Sequence, residues 1–189
     1  MADQTRHSAL DTGVIAWISI GSNLQQPVTQ VRRALTALTT LPETTLLWQS
    51  QLYATDPVGG VEQPAFINAV ARLSTHLPAL ELLHQLQELE TIAGRRRAAE
   101  IYWGPRVLDL DMLSYGDYCS SDPQLRLPHP RLHERAFVLV PLAEFDAQLT
   151  LSGCGCIAEH LLQVSDQGVR RLVESADHSP VLTAKTAQA

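Results

Sequence analysis

Apolar positions along the chain fall into blocks whose period changes from one block to the next. Val14-Ile-Ala-Trp-Ile-Ser-Ile20 is rich in β-branched and aromatic residues and stops at Gly21-Ser22-Asn23, which predicts a buried strand ending in a turn. Pro27 can open a helix, and Val28, Val31, Leu35, Leu38 and Leu41 then recur at spacings of three and four on one face. Thr44 to Thr55 has strand composition and runs into Asp56-Pro57-Val58-Gly59-Gly60, a loop. Phe66 to Thr75 predicts a further strand that pairs with it. Pro78 starts a second helix with Leu82, Leu83, Leu86, Leu89 and Ala93 on its apolar face, and Gly94 stands where a C-terminal cap belongs. Val107 to Tyr115 closes the series as a strand.

The resulting order, strand, helix, strand, strand, helix, strand, is the ferredoxin-like βαββαβ pattern. It predicts an α+β fold in which two helices cover one face of a four-stranded antiparallel sheet. Beyond it the sequence predicts helices over Ala136 to Phe145 and near Ile157 to Val164. The polar stretches at 1–12 and 166–189 read as a tail and a C-terminal extension around a domain spanning 13–165. Such a fold hosts many unrelated functions, so function has to be read from individual side chains.

Composition narrows the field. With 189 residues, 45% of them hydrophobic, the chain can build a core without disulfides or a structural metal. Its 14 basic residues against 20 acidic give a formal charge of −6, and Lys185 is the one lysine, which argues against nucleic acid or a membrane surface as partner. The run from Val14 to Ile20 is too short to span a bilayer and the first residues lack a signal-peptide pattern, so a cytoplasmic protein is expected; small molecules are the expected partners and a monomer the expected state. Cys119, Cys154 and Cys156 are an odd number without the second pair a zinc site requires, and read as free thiols.

The chemistry concentrates at Arg106-Val-Leu-Asp109-Leu110-Asp111-Met-Leu113. Residues two apart on a strand share a face, so Asp109 and Asp111 project together while Leu108, Leu110 and Met112 point into the core. Two adjacent carboxylates repel, and a hard divalent cation relieves that repulsion; Mg²⁺ in particular is held by one or two carboxylates plus substrate phosphates. A strand with a wet face would also tolerate alternating Asp. Seven of the basic residues nevertheless flank this pair, and all are arginine: Arg95, Arg96, Arg97 and Arg106 before it, Arg126, Arg131 and Arg135 after it. The planar guanidinium fork matches phosphate oxygens two at a time. His129 and His133 add imidazoles that donate to phosphate or titrate near neutrality. Phe66 and Asn68 are same-face neighbours, an aromatic beside an amide, which suits a flat hydrogen-bonding heterocycle as well as it suits a core.

Gly21-Ser22-Asn23-Leu24, the stretch from Thr55 to Asn68, Trp103-Gly104-Pro105-Arg106-x-x-Asp109-Leu110-Asp111, and Pro128-His129 to Arg135-x-Phe137 closely resemble 6-hydroxymethyl-7,8-dihydropterin pyrophosphokinase. The resemblance covers roughly Val14 to Leu151. It implies an enzyme of folate biosynthesis that transfers the terminal diphosphate of ATP to the hydroxymethyl group of a reduced pterin and releases AMP. By similarity, Asp109 and Asp111 would bind two Mg²⁺, and Arg95, Arg97, Arg106, His129 and Arg135 would hold phosphates. Gln87 and Glu90 would line the cleft and Trp103 would close over the nucleotide. Thr55, Val58 and Asn68 would hydrogen-bond a pterin sandwiched between Phe66 and Phe137. The chain departs from the family pattern at Asp56, where proline is common, and at Tyr102, where a basic residue is common. A non-catalytic ferredoxin-like module binding nucleotide or pterin is the alternative, and a two-metal polymerase- or cyclase-like catalyst a third reading, disfavoured by the acidic charge.

Overall fold

In the computed structural model, which describes residues 13–57, 63–96 and 104–173, ten strands and four helices follow the expected order with additions at its end. Strand β1 (Val14–Ser22) leads to α1 (Pro27–Leu38), β2 (Thr44–Gln49), β3 (Tyr53–Thr55), β4 (Phe66–Thr75), α2 (Ala79–Ile92) and β5 (Asp109–Tyr115). A hairpin of β6 (Ser120–Asp122) and β7 (Leu125–Leu127) follows, then α3 (Ala136–Phe145), the short strands β8 (Thr150–Leu151) and β9 (Gly155–Cys156), α4 (Ile157–Leu161) and β10 (Val169–Arg171).

The main sheet is antiparallel throughout, in the order β10-β3-β4-β1-β5, with β2 also paired to β4. It has six strands, against the four expected, for two reasons. The Thr44–Thr55 segment is one strand interrupted by a kink: Ser50 still bonds Val70, through both its backbone N–H and its hydroxyl, but the register slips before Tyr53 pairs with Asn68. An extra residue on one strand of an antiparallel pair is a bulge, and it bends the strand. The sixth strand, β10, comes from the segment beyond 165 and adds to the β3 edge.

The two faces of the sheet bury different helices. Ala16, Ile18 and Ile20 of β1, Ala69, Ala71 and Leu73 of β4 and Leu110 and Met112 of β5 pack against Val31, Ala34, Leu35 and Leu38 of α1 and Leu82 and Leu86 of α2. Each fully buried leucine in that layer contributes about 2 kcal/mol relative to exposure. Trp17, Val70 and Leu113 face the other way, against Val138, Leu139 and Leu142 of α3 and Ile157 of α4. Only part of this second face is apolar. Toward the other end of the same strands it carries Ser19, Gly21, Phe66, Asn68, Asp109 and Asp111, and this polar half of the sheet is where the chemistry gathers.

Candidate functional site

Register places the two carboxylates. On β5, Asp109 lies opposite Gly21 and Asp111 opposite Ser19, so both project from the α3 face while Leu108, Leu110 and Met112 are buried on the other. The alternation seen in the sequence is therefore the alternation of the strand. A Cβ built on Gly21 would lie 2.9 Å from Oδ1 of Asn68 and 3.9 Å from Cβ of Asp109. Glycine thus lets the amide of Asn68 close up beside the carboxylate, and links the two halves of the site.

Three arginines converge on the pair. Arg106 reaches Oδ2 of Asp109 at 2.8 Å, and Arg95 bridges Oδ1 of Asp109 and Oε1 of Glu90. Arg135 meets Oδ2 of Asp111 at 3.1 Å. The end of α2 explains why Arg95 is there. Gly94 takes a positive φ of 96°, its N–H bonds the Thr91 carbonyl, and the Arg95 N–H bonds the Glu90 carbonyl. These two bonds make a Schellman cap, which delivers Arg95 at a fixed angle to the strand beside it.

Burial, and behind it the neighbouring Asp109 carboxylate, raise Asp111 from the ordinary aspartate value to about 6, against the opposing pull of Arg135. His129 is pushed the other way, down to about 4, by burial and by the Arg135 cation beside it. It is neutral at pH 7, so of the two roles its place in the sequence offers, it is left as a hydrogen-bond donor. Its tautomer follows from its neighbours: Nδ1 accepts the Arg131 backbone N–H at 3.1 Å, so Nε2 carries the proton, 3.8 Å from Asp111.

The other expected residues divide. Asn68 is buried and donates through Nδ2 to the Thr55 hydroxyl at 2.7 Å, so the amide is pre-oriented. Phe66 and Phe137 are part-exposed, at the start of β4 and of α3, and the Arg135 guanidinium lies over the Phe137 ring at 5.5 Å. Gln87 is part-exposed on α2. Glu90, by contrast, is 1% exposed and lines no open cleft: its carboxylate is consumed by Arg95 and by the Leu110 backbone N–H of β5, at 2.8 Å. Of the remaining arginines, Arg126 is exposed on β7 and Arg131 pairs with Glu134. Val58, Arg97 and Trp103 lie outside the described residues. The three cysteines are free thiols.

Asn23 is a residue whose role the sequence did not reveal. It is buried, accepts the Arg106 backbone N–H at 2.8 Å and donates to Gln63 and to the Pro64 carbonyl, tying the segments on either side of the site together. The signal in the sequence is its place directly after a buried strand, within Gly21-Ser22-Asn23-Leu24.

The donor set fits a divalent cation completed by substrate. Among the described residues no group of three or more His, Cys, Asp or Glu side chains is gathered to hold a metal. Two carboxylates on one face, ringed by arginines, are the arrangement in which phosphate oxygens and water supply the remaining ligands. They do not form a closed protein cage.

Gly21→Ala tests the link across the sheet. The added methyl must displace the Asn68 amide, which can move only by giving up its bond to Thr55. We expect weaker binding of the ligand that Asn68 reads, by about tenfold for one lost hydrogen bond near 1.4 kcal/mol, with phosphate-side affinity unchanged. Separate titrations of the two ligands check it.

Residues 17–147 match the family model described as 7,8-dihydro-6-hydroxymethylpterin-pyrophosphokinase (HPPK). The chain is 43% identical over 156 residues to the 2-amino-4-hydroxy-6-hydroxymethyldihydropteridine pyrophosphokinase of Pseudomonas aeruginosa, covering 82% of this chain and 95% of the relative. It is 40% identical over 159 residues to the Haemophilus influenzae protein of the same name, covering 84% and 98%. Among solved structures, the wild-type Plasmodium falciparum HPPK-DHPS with pteroate superposes with a TM-score of 0.61 at 13% identity, over 79% of this chain. The match spans 42% of that longer chain, and at this identity it supports the fold alone. No helix among the described residues is long and apolar enough to cross a membrane.

Proposed function

The chain belongs to the 7,8-dihydro-6-hydroxymethylpterin-pyrophosphokinase family, and on that footing we propose that it transfers diphosphate from ATP to the hydroxymethyl group of 6-hydroxymethyl-7,8-dihydropterin, releasing AMP, as a step of folate biosynthesis. The observation that carries the reading within this chain is the pair Asp109 and Asp111 on one strand face with Arg95, Arg106 and Arg135 converging on it.

Asp109 and Asp111 would hold Mg²⁺, two ions in our reading. Bound there, magnesium would neutralise charge on the phosphate oxygens and lower the barrier to transfer. The chain's own groups account for the rest. Arg95, Arg106 and Arg135 neutralise the carboxylates in the ligand-free site and stand within reach of a phosphate chain laid over β5, where their forks engage its oxygens. Because α2's cap and Glu90 fix Arg95, little side-chain entropy is lost when it does so. His129, neutral with its proton on Nε2, donates a hydrogen bond and does not act as a base. On the other side of Gly21, Asn68 with Thr55 reads the edge of the pterin, and Phe66 and Phe137 offer faces for its ring. Val58, Arg97 and Trp103, outside the described residues, would take the pterin and nucleotide roles that the family resemblance implies for them. Small-molecule substrates suffice; we expect a monomer.

The reaction test is product identity. Purified protein with Mg-ATP and the hydroxymethyl-dihydropterin is expected to form AMP and pterin diphosphate in equal amounts. Formation of ADP, or binding of both substrates without turnover, would replace this reading by an ordinary kinase or by a binding module.

A further inference from the structure

Helix α3 begins without a local cap. Its N-cap residue is Arg135, in extended backbone conformation, and no side chain of the cap position bonds the first turn. The N–H of Ala136 is one of the groups that such a start leaves unsatisfied. It is satisfied from 31 residues downstream: Oε1 of Gln167 accepts the Ala136 N–H at 3.0 Å, while Nε2 of the same amide donates to the Glu134 carbonyl at 2.9 Å. One glutamine therefore holds the peptide groups on both sides of Arg135. The residue after it continues the connection. The Gly168 carbonyl accepts the Asp56 N–H at 3.2 Å, and β10 then pairs with β3 from Thr55 to Tyr53. Arg170 adds an ion pair to Asp56 at 2.9 Å, though both groups are well exposed and such a pair contributes little.

We infer that Gln167 is a positioning residue for the reaction: it sets the backbone from which Arg135 and Phe137 reach the site, and through Gly168 and β10 it ties that wall to the end of β3 that carries Thr55. This rests on the proposed phosphate role of Arg135 and pterin role of Phe137. Gln167 touches neither substrate in this account; it acts through the φ and ψ of residues 134–136. An amide is required because the two backbone partners are one donor and one acceptor, and no carboxylate or aliphatic side chain serves both. Arg135 reaches Asp111 across a single hydrogen bond, so a displacement of about 1 Å at its Cα is enough to lose the contact, and misplacement on that scale costs tens- to hundredfold in rate.

The experiment is a double-mutant cycle on the full chain. Gln167→Leu is expected to lower kcat/KM for the dihydropterin by about tenfold or more. Gln167→Glu, which keeps the acceptor for Ala136 and loses the donor to Glu134, should fall between it and the parent, and serves if the leucine variant folds poorly. In an Arg135→Ala background, Gln167→Leu should cost clearly less than in the parent, because one of the two side chains it positions is gone and only Phe137 remains to be misplaced. Equal losses in both backgrounds, or a loss that disappears when the assay is run well below the variant's melting temperature, would make Gln167 a structural residue and overturn the inference. Arg135→Ala by itself separates this from the reading beneath it. If that single variant turns over like the parent, the phosphate role of Arg135 falls and the inference falls with it; if it is slowed while Gln167→Leu is not, the inference alone falls.

Discussion

Asp109→Ala is expected to slow diphosphate transfer about a thousandfold or more while leaving the fold in place, the kinetic equivalent of roughly 4 kcal/mol of transition-state stabilisation. The size follows from position. Asp109 is shared by two arginines, Arg95 and Arg106, and its strand neighbour Asp111 is already raised toward protonation by burial and by Asp109 itself. Removing Asp109 deletes half of the donor set proposed for magnesium. It also releases both guanidiniums from their resting geometry. The structural consequence is small by comparison. Arg95 keeps its bond to Glu90, and Arg106 is part-exposed, so no buried charge is stranded. A melting temperature within about 4 °C of the parent, which is about 1–2 kcal/mol for a chain of this size, together with the lost turnover would locate the effect in chemistry. Asp109→Asn, which keeps the shape and the acceptor oxygen, should be nearly as slow. A variant that makes AMP at the parental rate would show that the pair does not hold the metal.

What the sequence made legible was whatever strand and helix periodicity alone decides. The parity of β5 put Asp109 and Asp111 on one face because a period of two leaves no other choice, and the same parity put Phe66 and Asn68 together on β4. Gly94 was readable as a cap, because a positive φ at a helix end selects glycine. The arginines were readable as a cluster, and three of the seven, Arg95, Arg106 and Arg135, converge on the carboxylates. Features that depend on a distant partner were not readable. The kink between β2 and β3 lies in Ser50-Gln51-Leu52, whose composition is that of a strand, and only the slipped register against β4 reveals it. Strand β10 is three residues of modest propensity that exist as a strand because β3 offers an edge. Gln167 resembles any surface glutamine until α3 arrives beside it without a cap of its own. Glu90 adds a structural tie that its cleft-lining reading did not include: its spacing to Leu82 and Leu86 places it on the buried stripe of α2, and a charge on such a stripe implies a buried partner.

Glu90→Ala follows from that tie, and it is expected to be the most destabilising single change in the site. The carboxylate is 1% exposed and Arg95 6%, so their pairing is a buried one, and the same oxygen accepts the buried Leu110 N–H at the outer edge of β5. Breaking such a pair by removing one partner typically costs about 3–5 kcal/mol, because the remaining charge and the orphaned N–H lose partners that water cannot fully replace. Asp109 still holds Arg95, which favours the lower half of that range. At about 2–4 °C per kcal/mol, a drop in melting temperature of roughly 6–16 °C is expected. Glu90→Gln divides the loss. It keeps an acceptor for Leu110 and gives up the charge, so its melting point should lie between those of the alanine variant and the parent. Its turnover, measured at a temperature where it is folded, should still be reduced, because Arg95 loses the charge on α2 that held its guanidinium in place. Parental turnover in Glu90→Gln beside a lowered melting point would confine Glu90 to joining α2 to the sheet edge. Parental stability in Glu90→Ala would mean that the capped end of α2 and its packing on β5 hold Arg95 without the carboxylate.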